Sequence, residues 1–488
     1  MNPATRLFLL ALIPITVLVV LLFCNVLYFA DDSSYGPNQI ALLFSGAVAA
    51  GIGVMNKTKW DHIYNGVIES ITTATGAIII LLLIGALAGT WLLSGVVPAM
   101  IHYGLMVLNP SFFLVAAAII CAVVSIATGS SWGTVATVGI ALLGIGQTLG
   151  IYEGWIAGAV ISGAYFGDKM SPLSDTTNLA PAVAGTDLIT HIKHMAWTTT
   201  PSFLIALIVF LIAGLMQDNN AMLGTQITEM QELITGKFNI GWWLFLVPVG
   251  VILMIARKVP AIPALFIGSL LGGLFAIIFQ PDVVRSVAGD TASYAEAAFI
   301  AVTQSMALDT AIETGNPEVN DLLSSGGMYG MLNTVWLILC ALTFGGIMQA
   351  TGMLQAITKM ILKFVNSTFT LVLSTAGSCL MFNILASDQY LAIVVPGKMF
   401  AQAYKDRDLA PENLSRVLED SGTVTSVLIP WNTCGVAQSG VLGVSVAMFA
   451  PFCVFNYVSF FMTILFGLMG WKMTPTVPMV GSDGEIED

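Results

Sequence analysis

The sequence predicts an all-α polytopic membrane protein with two inverted repeats, each of five spans plus a re-entrant hairpin, and with discontinuous helices at its centre. The first observation is composition: 57% of the 488 residues are hydrophobic and only 9% are charged, which is far too apolar for an ordinary soluble domain. The second is a series of apolar runs long enough to cross about 30 Å of hydrocarbon at 1.5 Å per residue. The third is a pattern of polar breaks that recurs in each half of the chain.

The apolar runs predict about ten crossings. The first run is too long for the apolar core of a signal peptide and lacks a cleavage site after it, so it counts as a span. The six cysteines fall in or beside these runs without paired spacing, which favours packing roles over disulfides or metal ligands. The predicted spans lie near residues 7–30, 39–55, 75–95, 152–190 (interrupted), 196–216, 241–256, 261–280, 329–350, 413–447 (interrupted) and 451–471.

Two further apolar stretches, 111–150 and 369–404, contain a polar break in the middle. The breaks, at 128–134 and 383–389, contain small residues and carry no Lys or Arg. Non-helical backbone at membrane depth survives only where it is buried in protein or lines a cavity. Each stretch is therefore predicted to be a re-entrant hairpin with a polar tip, and the alternative is two ordinary spans joined by a loop.

The two halves resemble each other when the chain is shifted by 257 residues. The shift aligns Gly95 with Gly352, Asn109 with Asn366, and each polar break with its counterpart. Because each half has an odd number of crossings, the repeats must have opposite orientations, as in many secondary transporters. The predicted divisions are a first repeat at 1–216, an extracytoplasmic linker at 217–240, a second repeat at 241–471 that contains an extracytoplasmic connector at 281–328, and a cytoplasmic acidic tail at 472–488.

Basic residues predict the orientation, because cytoplasmic loops are enriched in Lys and Arg. If Arg6 is cytoplasmic, successive crossings place all of the 16 basic residues on that side except Lys169, Lys237 and Arg285. We therefore expect both termini in the cytoplasm and the chain in a cell inner membrane.

The segment 167–186 places two carboxylates and several hydroxyl and amide side chains between long apolar runs. An ionisable residue at membrane depth is expensive, so it is a functional-site hypothesis by default. Pro172 and Pro181 interrupt helical structure here. The segment is predicted to break a spanning helix and to carry Asp168 and Asp175 to a cation, and the alternative is that Asp168 and Lys169 belong to a solvated loop.

The candidate proton and cation carriers are Asp168, Asp175, Asp388 and Asp420, and the second half also offers Glu419. Hydroxyl and amide oxygens near them suit sodium or another small, hard cation. The 257-residue shift pairs Asp175 with Asn432, and a sodium ion is predicted at Asp175, Thr176 and Asn432. The candidate coordinating residues for a cation or substrate are Thr128, Ser130, Ser131, Ser171, Ser174, Thr176, Asn178, Asn383, Ser387, Thr423, Asn432 and Thr433.

Three segments resemble the NhaC family of sodium/proton antiporters. They are 167–181 (Gly-Asp-Lys-Met-Ser-Pro-Leu-Ser-Asp-Thr-Thr-Asn-Leu-Ala-Pro) with its continuation to 194, 125–134 (Ser-Ile-Ala-Thr-Gly-Ser-Ser-Trp-Gly-Thr) and 430–435 (Pro-Trp-Asn-Thr-Cys-Gly). The resemblance implies inverted repeats, two re-entrant hairpins and broken helices, often in a homodimer. It also implies sodium as coupling ion and the proton as its partner. The same family contains a sodium-lactate/malate-proton antiporter, so the scaffold is better specified than the substrate.

The first interpretation is a sodium/proton antiporter that works by alternating access, with no cofactor, no nucleic-acid partner and no enzymatic activity. The alternative is a sodium-coupled carrier or exchanger of a small organic anion, of malate or lactate type, or of an amino acid. Asp388 falls where the repeat has Ser131, and this extra carboxylate favours a cation or an amine-bearing substrate over a bare dicarboxylate. A third class, an intramembrane hydrolase, has no supporting motif.

Overall fold

The computed structural model describes residues 3–29, 33, 35–107, 109–216 and 222–476, and most of these residues are helical. Two short strands, β1 (Thr310–Ala311) and β2 (Ser324–Ser325), pair antiparallel in the connector. The first helices are α1 (Pro3–Phe29), α2 (Pro37–Met55), α3 (Trp60–Thr73), α4 (Thr75–Leu93), α5 (Val96–Val107), α6 (Pro110–Thr128), α7 (Ser131–Thr134), α8 (Ile140–Thr148), α9 (Glu153–Met170), α10 (Asp175–Ala184), α11 (Leu188–Leu215) and α12 (Met222–Lys237).

The remaining helices begin after the 3₁₀ turn Trp242–Phe245. Segments of π-helix at Val135–Gly139 and Glu419–Thr423 join α7 to α8 and α23 to α24, and the 3₁₀ turn Ala450–Phe452 follows α26. These helices are α13 (Leu246–Ala256), α14 (Ala261–Phe279), α15 (Pro281–Ala288), α16 (Tyr294–Ala307), α17 (Pro317–Leu322), α18 (Gly327–Gly330), α19 (Leu332–Ala350), α20 (Met353–Leu362), α21 (Thr368–Leu385), α22 (Gln389–Lys405), α23 (Pro411–Leu418), α24 (Val424–Ser426), α25 (Thr433–Leu442), α26 (Val446–Phe449) and α27 (Val454–Met469).

Eight of the described helices are long and apolar enough to cross a membrane, or ten spans if each of two bent pairs counts as one. The prediction of a multi-pass helical membrane protein is therefore confirmed. The membership of the set differs from the predicted spans, because the eight include α6 and α21, the first arms of the two predicted hairpins. The bent pairs are Thr228–Lys237 with Trp242–Ala256, at 84°, and Thr433–Leu442 with Val446–Phe452, at 93°.

Each predicted hairpin consists of helices that pack against each other on the two sides of a polar turn. The turn between α6 and α7 has two residues, Gly129 and Ser130, whereas the turn between α21 and α22 has three, at 386–388. Gly129 and Ser387 both have positive φ angles, of 68° and 59°. Re-entry of these hairpins from one side of the membrane stays a prediction.

The break between α9 and α10 is shorter than predicted. Helix α9 continues through Asp168 to Met170, and only residues 171–174 are non-helical before α10 begins. Pro172 explains the end of α9, because the residue before a proline disfavours helical backbone. Pro181 does not break the chain, since α10 continues past it to Ala184 and ends at Gly185, whose φ is 90°.

Close packing of α6 on α9 sets the position of the break. A Cβ atom at Gly163 would lie 2.1 Å from the Ala118 carbonyl oxygen, and one at Gly167 would lie 2.3 Å from that of Ala122. Small residues let helices approach in this way inside membrane proteins. Ser125 Oγ of α6 also donates a hydrogen bond to the α9 backbone, at 2.6 Å.

The predicted connector 281–328 is partly helical, with α15 and α16 followed by the short β1–β2 pair. Residues 217–221 of the predicted linker and 477–488 of the predicted acidic tail lie outside the described residues.

Candidate functional site

The C-terminal end of α9 places Asp168 against the tip of the first hairpin. Ser131 donates to Asp168 Oδ2 twice, from its hydroxyl at 2.7 Å and from its backbone N–H at 3.2 Å. Ser131 is the first residue of α7, so the carboxylate lies at a helix N-terminus, where partial positive charge is concentrated. Asp168 is buried, at 8% exposure, and does not belong to a solvated loop.

Backbone contacts hold the break at 171–174 in place. Ser171 Oγ donates to the Ile126 carbonyl at 2.7 Å, and the Asn178 amide donates to the carbonyls of Pro172 and Ser174. Gly129 lies so close that a Cβ atom there would be 2.6 Å from Leu173 atoms. Hairpin tip and helix break therefore form one packed unit.

Helix α10 begins with the predicted sodium ligands Asp175 and Thr176. Asp175 is exposed, whereas Thr176 is buried. The Thr176 hydroxyl donates to Glu419 Oε1 at 3.0 Å. Ser174 Oγ lies 3.2 Å from the same Thr176 hydroxyl. Ser174 also caps α10 by accepting from the Thr177 N–H. The hydrogen bond of Thr176 to Glu419 therefore connects the first half of the chain to the second.

The π-helical turn Glu419–Thr423 carries two buried carboxylates. Asp420 forms an ion pair with Lys169, and both side chains are 0% exposed. Lys169 Nζ also donates to Ser459 Oγ at 3.0 Å and lies 5.8 Å from the centre of the Phe455 ring. The solvated-loop alternative for Lys169 is thus wrong, because this residue is a helical, fully buried cation with a specific partner.

The tip of the second hairpin contacts the start of α25. Asp388 caps α22 by accepting from the Leu391 N–H at 2.9 Å, and the Ser387 carbonyl accepts from the Thr433 N–H at 3.0 Å. Asn432 caps α25, and its amide donates to the side chain and the carbonyl of Asn383, both at 3.1 Å. Asn383 in turn donates to the Gly422 carbonyl and the Thr425 hydroxyl.

A cavity of about 610 Å³ joins the two hairpin tips and the break, and we call it the central cavity. Three of the four candidate carboxylates, Asp168, Asp175 and Asp388, line it. The fourth, Asp420, is not among the lining residues and forms the ion pair with Lys169. The other candidate residues in the wall are Thr128, Ser130, Ser131, Ser174, Thr176 and Thr433, whereas Ser171, Asn178, Asn383, Ser387, Thr423 and Asn432 are not among the residues that line it.

The members of the predicted sodium triad have different contacts. Asp175 and Thr176 both line the central cavity, and Thr176 also donates to Glu419, whereas Asn432 does not line the cavity and is bonded to Asn383. The shift of 257 residues that pairs Asp175 with Asn432 does not pair the N-caps of α10 and α25, which are Ser174 and Asn432. The extra residue in the second hairpin tip accounts for the difference.

A second cavity of about 820 Å³ lies at the other end of α25, and we call it the distal cavity. Thr433 at the start of α25 lines the central cavity, whereas Gly440 and Gly443 near its end line the distal one. Gln147 and Glu229 are among its polar lining residues.

Sequence comparison decides the family. The model of the Na⁺/H⁺ antiporter family matches residues 163–471, which include the C-terminal part of α9, the break, the π-helical turn Glu419–Thr423 and α25. The chain belongs to the Na⁺/H⁺ antiporter family. It is 37% identical over 434 residues to the Na⁺/H⁺ antiporter NhaC of Alkalihalophilus pseudofirmus, covering 88% of this chain and 90% of that protein.

The chain is also similar to two antiporters whose names contain organic substrates. The malate-2H⁺/Na⁺-lactate antiporter of Bacillus subtilis is 35% identical, covering 89% of this chain and 90% of that protein. The arginine/ornithine antiporter ArcD of Halobacterium salinarum is 36% identical, covering 95% of this chain and 92% of that protein.

Two side chains of the central cavity were not among the candidate site residues. Lys258 and Tyr390 line the central cavity. Lys169 was noted as a basic residue inside the interrupted apolar run 152–190, but its ion pair with Asp420 was not predicted. His191 on α11 is also buried, with its Nδ1 2.8 Å from Ser415 Oγ.

Proposed function

We propose that this protein is a sodium/proton antiporter that works by alternating access. The observation that carries the proposal is the convergence of Asp168, Asp175 and Asp388 on one cavity where both hairpin tips meet the broken helix. Carboxylate and hydroxyl oxygens can replace the hydration shell of sodium. A carboxylate can also bind a proton instead of the sodium ion. Two relatives named Na⁺/H⁺ antiporter NhaC, one from Alkalihalophilus pseudofirmus and a second from Bacillus subtilis that is distinct from the malate antiporter, support the same pair of ions.

Two inverted repeats are part of this proposal. Helices α3 and α16 both have 14 residues, α4 and α19 both have 19, and α10 and α25 both have 10. Glycines with positive φ, Gly95 and Gly352, follow α4 and α19 at equivalent places. Helices α2 and α3 pack on α19, and α14 and α16 pack on α4. In each half, α4 or its counterpart α19 therefore packs against helices of the other half in an equivalent way. The proposed divisions remain 1–216, 217–240, 241–471 with its connector at 281–328, and 472–488.

In the proposed orientation, both termini lie in the cytoplasm. The proposed location is the cell inner membrane, and the proposed assembly is a homodimer. Lys258 is cytoplasmic in this orientation, and it lines the central cavity. The central cavity is then open to the cytoplasm, and the distal cavity lies on the external side. This arrangement corresponds to an inward-facing state of an alternating-access cycle.

The second candidate function is exchange of an amine-bearing organic substrate. The central cavity, at about 610 Å³, has the size of a small-molecule site and far exceeds one sodium ion. Its three aspartates offer partners for ammonium or guanidinium groups, and Lys258 offers one for a carboxylate. The relative with an arginine/ornithine name fits this candidate. A malate-type dianion is disfavoured by the surplus of carboxylates.

Proton flux in proteoliposomes tests the proposal. Sodium added outside should drive proton movement in the wild type, and Asp175→Asn should reduce the flux at least about tenfold, because it removes the charge but keeps the shape. The matched control is Asp187→Asn, an exposed aspartate that caps α11, where asparagine caps equally well. Flux driven by arginine or ornithine but not by sodium would favour the second candidate. Wild-type flux in Asp175→Asn would remove this residue from the coupling site.

A further inference from the structure

Glu419 is a carboxylate inside the protein that forms no ion pair with any residue that the structure describes. Its side chain is 0% exposed, and the neighbouring Lys169 is ion-paired with Asp420. Oε1 accepts the hydrogen bond from Thr176, whereas Oε2 has no hydrogen-bond partner in the part of the chain that the structure describes. A buried, unpaired carboxylate is costly, so such a group either carries a proton or holds a cation.

Two hydroxyl groups flank this carboxylate. Thr423 lies four residues after Glu419 on the same π-helical turn, which brings the two side chains to one face of the helix. Thr423 Oγ1 is buried, with the side chain 1% exposed, and has no hydrogen-bond partner among the described residues. Thr176 approaches from α10 with its hydroxyl 3.0 Å from Oε1. Carboxylate and hydroxyl oxygens are the ligands that small, hard cations prefer.

We propose that Glu419, Thr423 and Thr176 form a binding position for a small, dehydrated monovalent cation, Na⁺ or Li⁺, behind the wall of the central cavity. The inference rests on the proposed sodium antiport and adds a second cation position to that route. Thr176 lines the central cavity and contacts Glu419, so its hydroxyl connects the cavity to the buried carboxylate. Asn432, a member of the predicted triad, is not part of this position because its amide is bonded to Asn383.

The test is equilibrium binding of radioactive sodium to purified protein in lipid nanodiscs at a fixed pH. Glu419→Gln keeps the shape of the side chain and an acceptor for Thr176 but removes the charge, and it should weaken sodium binding at least about tenfold. Thr423→Val removes one unpartnered hydroxyl and should weaken binding by a smaller factor, about threefold or more. The matched control is Glu412→Gln, in the first turn of α23 and outside the proposed position, which should bind like the wild type.

Unchanged sodium affinity in both Glu419→Gln and Thr423→Val would overturn the inference, even if the wild type exchanges sodium for protons. Binding that depends on Glu419, without sodium-driven proton flux, would support the inference and contradict the proposed antiport. A Glu419→Gln protein that does not fold leaves Thr423→Val as the deciding variant, and full affinity there would overturn the proposal.

Discussion

Replacing Asp420 with asparagine should destabilise the protein strongly, because it removes the partner of a buried lysine. Lys169 and Asp420 are both 0% exposed and lie on α9 and the π-helical turn, 251 residues apart in the chain. After the substitution, Lys169 keeps a hydrogen bond to Ser459 and a distant aromatic face at Phe455. Neither neutral group replaces the lost charge.

The expected cost of breaking the pair is about 3–5 kcal/mol, the range for a buried ion left without its partner. The entropy of unfolding is about 2.1 cal/mol/K per residue. For 488 residues this entropy amounts to about 1 kcal/mol per degree, so the apparent melting temperature should fall by about 3–5 °C. The double variant Lys169→Met with Asp420→Asn should be more stable than either single variant, because neither member of the ion pair is left without its partner.

The assay is the apparent melting temperature of each purified variant, measured at one heating rate because membrane proteins unfold irreversibly. Size-exclusion chromatography of the same samples gives the folded fraction. Two single variants that melt with the wild type would refute the reasoning, since a buried ion pair cannot lose one charge without cost. Additive losses in the double variant would show that the two side chains do not interact.

Two further predictions use geometry and topology. Gly129→Ala should reduce stability by about 2–4 kcal/mol and abolish transport, because its Cβ atom would lie 2.6 Å from Leu173 atoms. Gly185→Ala, also at positive φ but with no neighbour within 4 Å, should lose only about 1–2 kcal/mol and keep transport, and equal losses in thermal unfolding would contradict this contact. In intact cells, an impermeant thiol reagent should label Asp290→Cys and spare Lys405→Cys, and the reverse labelling would invert the proposed orientation.

Composition and local sequence predicted the helical class and located both polar turns and the central break. The extent of the break was wrong, because Asp168 and Lys169 are polar but do not stop a helix. Pro172 does so, and α9 reaches Met170 before the backbone changes. Polarity was therefore mistaken for loop structure where burial and pairing allow a helix to continue.

The role of Lys169 could not be predicted, because its partner Asp420 lies in the other half of the chain and only the folded helices bring them together. The same applies to the contact of Thr176 with Glu419, because these two residues also lie in different halves of the chain. A fixed shift of 257 residues also could not reveal the extra residue at the second hairpin tip. Local sequence identifies which residues are costly in a membrane, but it does not assign their partners.

The position of the two cavities at opposite ends of α25 has an electrical consequence. Thr433 borders one cavity and Gly440 the other, and seven residues of helix span only about 10 Å. Water in the cavities would carry the potential of each bath inward, so most of the membrane voltage would fall across this short length instead of about 30 Å of hydrocarbon. An ion that moves past α25 by one or two helical turns would then experience nearly the full work of about 2.3 kcal/mol per charge at 100 mV. Small displacements of the hairpin tips would thereby be sufficient to make each transport step sensitive to membrane potential.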